Sequence, residues 1–435
     1  MEEILIPIAI FVPLGIMIIF ASTRSVPPGE RSWLVTLLIS ALVLRIGIAT
    51  LFAAFQGLRI YHVDASGYEN FGMYVATSWR GEAPRVDLAE VNWGYQGMSA
   101  LIYYVFGRYR VNVSLVNAVL GTMLALLVYN LTKKLFHQII ARRAALFVAL
   151  MPSMVLWGSM ALKDLPVTFC IVVSLSSCVD LKQKFTPMAF LGTFLPIVAI
   201  YPLRFYVVYF VAFAIVLSLL LDRSLNYLSG LYRQIFVLTL FAGLALLLGM
   251  AGQAETDANQ FMSLQYLSDY RRGMAESANS GFYTDVDISR PDGALMYLPI
   301  GMAHLLLAPF PWQMTSLGPL IAAPETIFWW TVFPATIRGI AFSLRNRFSE
   351  SLPLLAFSAT LTAAYSLMQG NVGAAFRQRA QILVFLFVFS ALGTYLGKAR
   401  EAGIDPRLLL RRTETEPEPE PPKPTTPAGA PVATA

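Results

Sequence analysis

Eleven apolar blocks recur along the 435-residue chain, near residues 4–20, 33–56, 112–131, 144–161, 165–181, 186–202, 205–221, 235–251, 319–341, 352–368 and 381–397. Each is close to the roughly 20 residues that carry an α-helix across about 30 Å of hydrocarbon. Lipid offers no partner for backbone N–H and C=O groups, so segments of this kind are helices, and the chain reads as an all-α polytopic membrane protein. The rest of the composition agrees: 56% of residues are hydrophobic and 13% charged. That is about half the charge a soluble domain carries, too little to cover a water-facing surface. A soluble enzyme, a nucleic-acid binder and a secreted disulfide scaffold are excluded. Cys170 and Cys178 lie in one apolar block, and His62, His137 and His304 are scattered, so no Cys/His cluster has metal-ligand spacing. Met1-Glu2-Glu3 lacks the basic start of a cleavable signal, and the run that follows is read as the first span.

The charges sort by side. The short loops at 21–32, 132–143, 182–185, 222–234 and 342–350, with Arg338 and the tail, hold 19 basic and 10 acidic residues. The opposite side holds 12 basic and 16 acidic residues, and Arg45 stands inside a span. The positive-inside bias puts the short loops and the C-terminus in the cytoplasm and the N-terminus outside. The basic balance therefore needs no nucleic acid. The outer side carries the two long segments, 57–111 and 252–318. The stretches 97–107 and 297–310 read as interfacial or re-entrant pieces. Residues 1–400 form the membrane domain, and 401–435 a cytoplasmic tail, disordered from about 413, where Pro, Glu, Thr and Ala dominate. No internal repeat is visible. The asymmetry suggests chemistry at the outer face.

Asp64, about eight residues beyond the end of a span, sits where a head group would lie. A carboxylate there suits a general base towards a hydroxyl or amine, while the plainer reading is a cap on the amphipathic helix predicted in GYENFGMYVATSW. Arg45, at mid-span, costs at least about 2.5 kcal/mol unless paired or wet. It reads either as an internal carbonyl or salt-bridge contact or as a substrate contact. Lys163-Asp164 marks a tight outer turn, or else places Asp164 beside Asp64 to orient a phosphate, a metal or the acceptor. Arg204, Arg377 and Arg379 lie at outer span ends, on the side the positive-inside rule disfavours. Guanidinium groups there suit an anionic ligand, although snorkelling anchors look the same. APFPWQ (308–313) and PETIFWW (324–330) read as an interfacial aromatic belt.

The run LVLRIGIATLFAAFQGLRIYHVDASGYENFGMYVATSWRGEA resembles the opening of the GT-C superfamily of membrane glycosyltransferases, of the protein-mannosyltransferase and aminoarabinose-transferase type. Arg45, Asp64, Tyr68, Ala76 and Gly81 occupy that pattern, and RRAALFVALMPSMVLWGSMALKD is similar to the next signature. The resemblance covers residues 35–220 well. It implies a GT-C-like bundle of about eleven transmembrane helices with amphipathic helices in the first outer loop. It further implies a polyprenyl-phosphate-linked sugar donor, an envelope acceptor and an inverting transfer. Asp64 would be the base, with Tyr68, Arg45, Lys163, Asp164, Arg204, Arg377 and Arg379 as substrate contacts. The chain departs from many members in having Ala65 after Asp64 and in the added span 4–20, which leaves the acceptor and the cofactor or metal requirement open. Two alternatives stand beside it. A polymerase or ligase with a polyprenyl-linked donor would lean on Arg271, Arg272 and Arg377, and a lipid-linked oligosaccharide flippase would need ionisable groups at mid-membrane in several spans.

Overall fold

The computed structural model describes residues 2–55, 63–86, 94–221, 263–277, 280–283, 285–314 and 317–403, with six positions between 234 and 243. The expected span at 235–251, the loop at 222–234, His62 and the tail beyond residue 403 lie outside or almost wholly outside them. Sixteen helices follow in order among the described residues: α1 (Glu2–Ser22), α2 (Pro28–Ala54), α3 (Val63–Trp79), α4 (Tyr95–Phe106), α5 (Val111–Leu135), α6 (Gln138–Leu150), α7 (Pro152–Trp157), α8 (Asp164–Gln183), α9 (Pro187–Ile200), α10 (Phe205–Leu220), α11 (Leu264–Glu276), α12 (Pro291–Leu307), α13 (Leu317–Asn346), α14 (Phe348–Met368), α15 (Val372–Gln378) and α16 (Ala380–Glu401). The fold is an all-helical polytopic bundle of the expected class. Seven helices (α1, α2, α5, α8, α13, α14 and α16) are long and apolar enough to cross a membrane, and α9 and α10 are shorter apolar helices.

One expected span is divided. The block 144–161 becomes α6 and the six-residue α7, because Met151 is extended (φ −59°, ψ 126°) ahead of Pro152. After Gly158 the chain leaves the helix until α8. The predicted amphipathic helix after Asp64 is α3, which buries Val75 and Ala76 against α4. The stretches 97–107 and 297–310 are largely helical, in α4 and α12.

Packing is closest between α13 and α16. A Cβ at Gly393 would stand 1.7 Å from Ala335 O, and one at Gly339 would stand 2.0 Å from Phe389 O. Only glycine admits backbones this near, as in other membrane helix pairs. Thr336 and Ser390 join the same pair of helices, Oγ1 to Oγ at 2.6 Å.

Helix direction alternates so that α2 and α14 end, and α5, α8 and α16 begin, at one end of the bundle. Their other ends carry Lys133, Lys134, Lys182, Lys398 and Arg400 in last turns, where a cation meets the negative pole of the helix. Lys182 is buried there and donates to Ser218 Oγ at 3.0 Å and to Ser349 O at 2.5 Å, fastening the ends of α8 and α10 to the start of α14. The acidic groups Asp64 and Asp164 lie at the opposite end.

Candidate active site

Five separate pieces of chain meet where α3 and α8 begin. Asp64 and Tyr68 stand one turn apart on α3, and Asp164 opens α8 after Lys163. Arg204 stands in the turn between α9 and α10, while Tyr365 lies in the last turn of α14 and Arg377 near the end of α15. Arg377 Nη1 donates to Asp64 Oδ2 at 2.8 Å, and its Nε approaches Asp164 Oδ2 at 3.4 Å, a charge contact and not a hydrogen bond. Arg204 Nη2 donates to Asp164 Oδ1 at 2.7 Å, and its Nη1 donates to Tyr365 Oη at 3.2 Å. Tyr365 passes the chain on to Gln381 Oε1 at 3.0 Å.

The two carboxylates differ sharply in access. The side chain of Asp164 is 4% exposed and that of Asp64 is 52% exposed. Among the described residues, Asp164 faces two guanidinium groups and Asp64 faces one. With Lys163, whose Nζ lies 5.9 Å from the centre of the Tyr68 ring, the described residues of the cluster carry three cations against two anions. Its surplus of one positive charge suits an anionic ligand.

The titrating groups follow from this crowding. Burial pulls the Arg377 guanidinium down, but Asp164 and Asp64 outweigh it and hold its pKa above the ordinary value. Burial, then Asp64 and Asp164, raise the Tyr68 phenol, which stays protonated as a donor. Burial and the neighbouring Arg204 depress the Lys163 ammonium.

Asn117 sets the loop ahead of this cluster. Wholly buried in α5, its Nδ2 contacts Met160 O at 2.6 Å, Leu162 O at 3.0 Å and Tyr95 Oη at 3.0 Å. Those carbonyls lie just before Lys163. Tyr95 in turn meets the Tyr68 ring edge-on at 5.0 Å between centroids. On the neighbouring face of α3, a shallow cleft of about 30 Å³ opens to solvent, lined by Ala49, Phe52, Ala65, Ser66, Glu69 and Arg110 among others.

Two of the arginines expected as substrate contacts stand elsewhere. Arg45 is 1% exposed and donates to Ala149 O at 2.9 Å, Val148 O at 3.0 Å and Ala41 O at 3.2 Å. It serves the end of α6. Pro152 has no N–H for Val148 O, and the Ser153 N–H that would face Ala149 O is taken by Glu325 Oε2 at 2.5 Å. Arg379, fully buried, donates to Ala308 O at 2.7 Å and Leu306 O at 3.3 Å. It lies 3.5 Å from Glu325 Oε1 and over the Phe376 ring at 4.2 Å. It thereby joins the end of α12 to α13. The residues that the sequence reading passed over are Asn117, Tyr365, Gln381 and Glu325. The signal they carried is a polar side chain within an apolar helix, which persists there only with a partner.

Residues 95–248 match the family described as dolichyl-phosphate-mannose-protein mannosyltransferase. No curated protein matches the chain. Among solved structures, it is similar to the archaeal oligosaccharyltransferase AglB from Archaeoglobus fulgidus in complex with an inhibitory peptide and a dolichol-phosphate. That likeness has 12% identity, covers 90% of this chain and 53% of the other, and gives a TM-score of 0.47. The Archaeoglobus fulgidus oligosaccharyltransferase in the apo form is similar to the same extent, with 12% identity, the same coverage and a TM-score of 0.46. The chain thus spans about half the length of these structures. The mannosyltransferase match lies over α4 to α10 and beyond, about a third of the chain, and it marks that part as similar to this family.

Proposed function

We propose that this protein transfers a sugar from a polyprenyl-phosphate carrier to an acceptor of the cell envelope, at the outer face of the membrane and with inversion at the anomeric carbon. The observation that carries the reading is the half-open Asp64 carboxylate held at 2.8 Å by Arg377, with the buried Asp164–Arg204 pair behind it. The mannosyltransferase match supports the carrier chemistry.

Asp64 takes the proton from the acceptor hydroxyl or amine. The acceptor atom forms its bond to C1 as the bond from C1 to the phosphate oxygen breaks, and the electron pair leaves with the polyprenyl phosphate. In-line attack inverts C1. Arg377 and Lys163 face the charge that develops on the leaving phosphate. Fixed cations in a partly dehydrated cleft stabilise such charge more than they would in water. A phosphate that draws Arg377 towards itself also loosens its hold on Asp64, and Asp164 keeps Arg204 throughout. The excess of basic residues at the other end of the bundle supports the orientation, with the N-terminus outside.

The polymerase or ligase reading is weaker. It leans on Arg271, which is fully buried and donates to Tyr283 O at 2.6 Å, Val286 O at 3.2 Å and Phe282 O at 3.4 Å. Asp64→Asn is the direct test. Membranes carrying this variant, supplied with radiolabelled polyprenyl-phosphate sugars, should show no transfer above background at unchanged protein level. Full transfer would remove Asp64 from the chemistry.

A further inference from the structure

The amphipathic helix α11 is rigidly held and presents an aromatic face beside the site. Its inner face buries Leu267, Ser268, Arg271 and Ala275. Arg271 makes the three carbonyl bonds described above and lies 4.4 Å over the Tyr297 ring, and Ser268 Oγ donates to Asp287 Oδ1 at 3.3 Å. Gly370, just beyond α14, lets the helix settle there: a Cβ at that position would stand 2.2 Å from Arg271 O. An antiparallel bridge between Gly281 and Asn371 ties the segment after α11 to the start of α15, the helix that carries Arg377.

Tyr266 and Tyr270 occupy successive turns of α11, with ring centroids 6.2 Å apart and planes within 21° of each other. They are 41% and 40% exposed, so neither ring belongs to the core. Arg271 of α11 meets Gly370 just beyond α14, whose last turn carries Tyr365, so α11 lies at the same end of the bundle as the candidate site. Beside the aromatic stripe, about 100° round the helix, runs a polar one. There Gln265 Nε2 donates to Asp269 Oδ2 at 3.2 Å. A sugar ring has an apolar C–H face and hydroxyls at its edge. Two near-parallel phenol rings bordered by an amide and a carboxylate match both parts, whereas an acyl chain leaves Gln265 and Asp269 without use.

We propose that the Tyr266–Tyr270 face of α11 is a carbohydrate-binding subsite, which seats a sugar ring neighbouring the one transferred. This rests on the glycosyltransfer reading above, and the ring belongs to a glycan on either the donor or the acceptor. The fixed helix lowers the cost of ordering the contact, because the rings are already placed.

The test uses the full chain in nanodiscs and oligosaccharides released by mild acid from the envelope of the cell that makes it. Saturation-transfer NMR should show transfer to ring C–H protons with the wild type and equally with Asp64→Asn, which keeps the face intact. Tyr266→Ala/Tyr270→Ala should bind about tenfold more weakly or less. Tyr266→Phe/Tyr270→Phe should bind within about twofold of wild type, since the rings remain. In transfer assays, a raised KM for the lipid-linked donor alone assigns the ring to the donor glycan, and a raised KM for the acceptor alone assigns it to the acceptor. Absence of saturation transfer in the wild type, or equal binding by the wild type and the double alanine variant, overturns the subsite. Binding of the alanine variant lost for anionic vesicles and unchanged for oligosaccharides makes the face a membrane contact and overturns it too. If Asp64→Asn transfers sugar normally, the catalytic reading fails while the binding result stands by itself.

Discussion

Replacing Arg45 separates a structural duty from a substrate contact. Its guanidinium satisfies Val148 O and Ala149 O, two carbonyls at the end of α6 that Pro152 and Glu325 leave without their usual helical donors. Arg45→Met keeps the length of the side chain and removes both bonds. Each orphaned buried carbonyl costs about 1–3 kcal/mol, so the variant should lose about 2–6 kcal/mol. The lower end applies if the carbonyls find other partners in the partly unfolded membrane state. Arg45→Lys should fall between, because an ammonium serves one carbonyl well but cannot fork across two. Space adds to the constraint: a Cβ at Gly121 would stand 2.8 Å from Arg45 Nε, so Gly121→Ala should destabilise in the same direction. The assay is thermal or SDS unfolding of the purified protein in nanodiscs, alongside donor KM. The reasoning is refuted if Arg45→Met melts with the wild type while donor KM rises, for then the guanidinium meets substrate.

Three other outcomes follow from the cluster. Asp164→Asn leaves the buried Arg204 without its counter-ion and should cost about 3–5 kcal/mol, whereas Asp64→Asn, half-exposed, should cost about 1 kcal/mol or less. Equal melting of the two variants would contradict the difference in burial. Lys163 has a pKa below the ordinary 10.5, so between those values the folded state binds fewer protons than the unfolded chain and stability rises with pH. Lys163→Met should abolish that alkaline rise, which melting curves at stepped pH will show. Transfer should withstand EDTA, because Arg377 already stands between Asp64 and Asp164 at 2.8 and 3.4 Å. Loss on chelation with recovery on adding Mn²⁺ or Mg²⁺ would mean that a metal displaces this guanidinium.

Period and charge were enough to read the bundle, because a lipid-spanning helix leaves an apolar run of about 20 residues, twice what a barrel strand needs. The division of residues 144–161 was harder to see. Pro152 is tolerated in many membrane helices, and here it ends one because Met151 is extended and Arg45, more than a hundred positions away, meets the freed carbonyls. At the site, residue type was legible and partnership was not. Arg377 and Arg379 look alike in GNVGAAFRQRAQ, yet two residues on a short helix point them in nearly opposite directions. One reaches Asp64, 313 positions away, and the other is sealed against Ala308 O and Glu325. Asn117 and Tyr365 left no charge to notice. Their value comes from the carbonyls and guanidinium they meet, which only the folded chain brings near.

The unequal treatment of the two carboxylates is what gives the cluster its chemical sense. A lone Asp facing the membrane edge would hold no fixed direction, and two equally open carboxylates would repel each other and disfavour a phosphate nearby. Here Asp164 is buried between Arg204 and Arg377, so its charge is spent within the protein and serves to keep both guanidinium groups in place. Among the described residues, Asp64 pairs with Arg377 alone and keeps half of its surface open. The remaining positive charge is on Arg377, beside Asp64, and on Lys163, beside the Tyr68 ring. An acceptor proton and a leaving phosphate are then met, on the proposed reading, by neighbouring groups of opposite sign. On the proposed reading the buried pair acts as the anchor that lets Arg377 turn to a phosphate without leaving a carboxylate stranded inside the bundle.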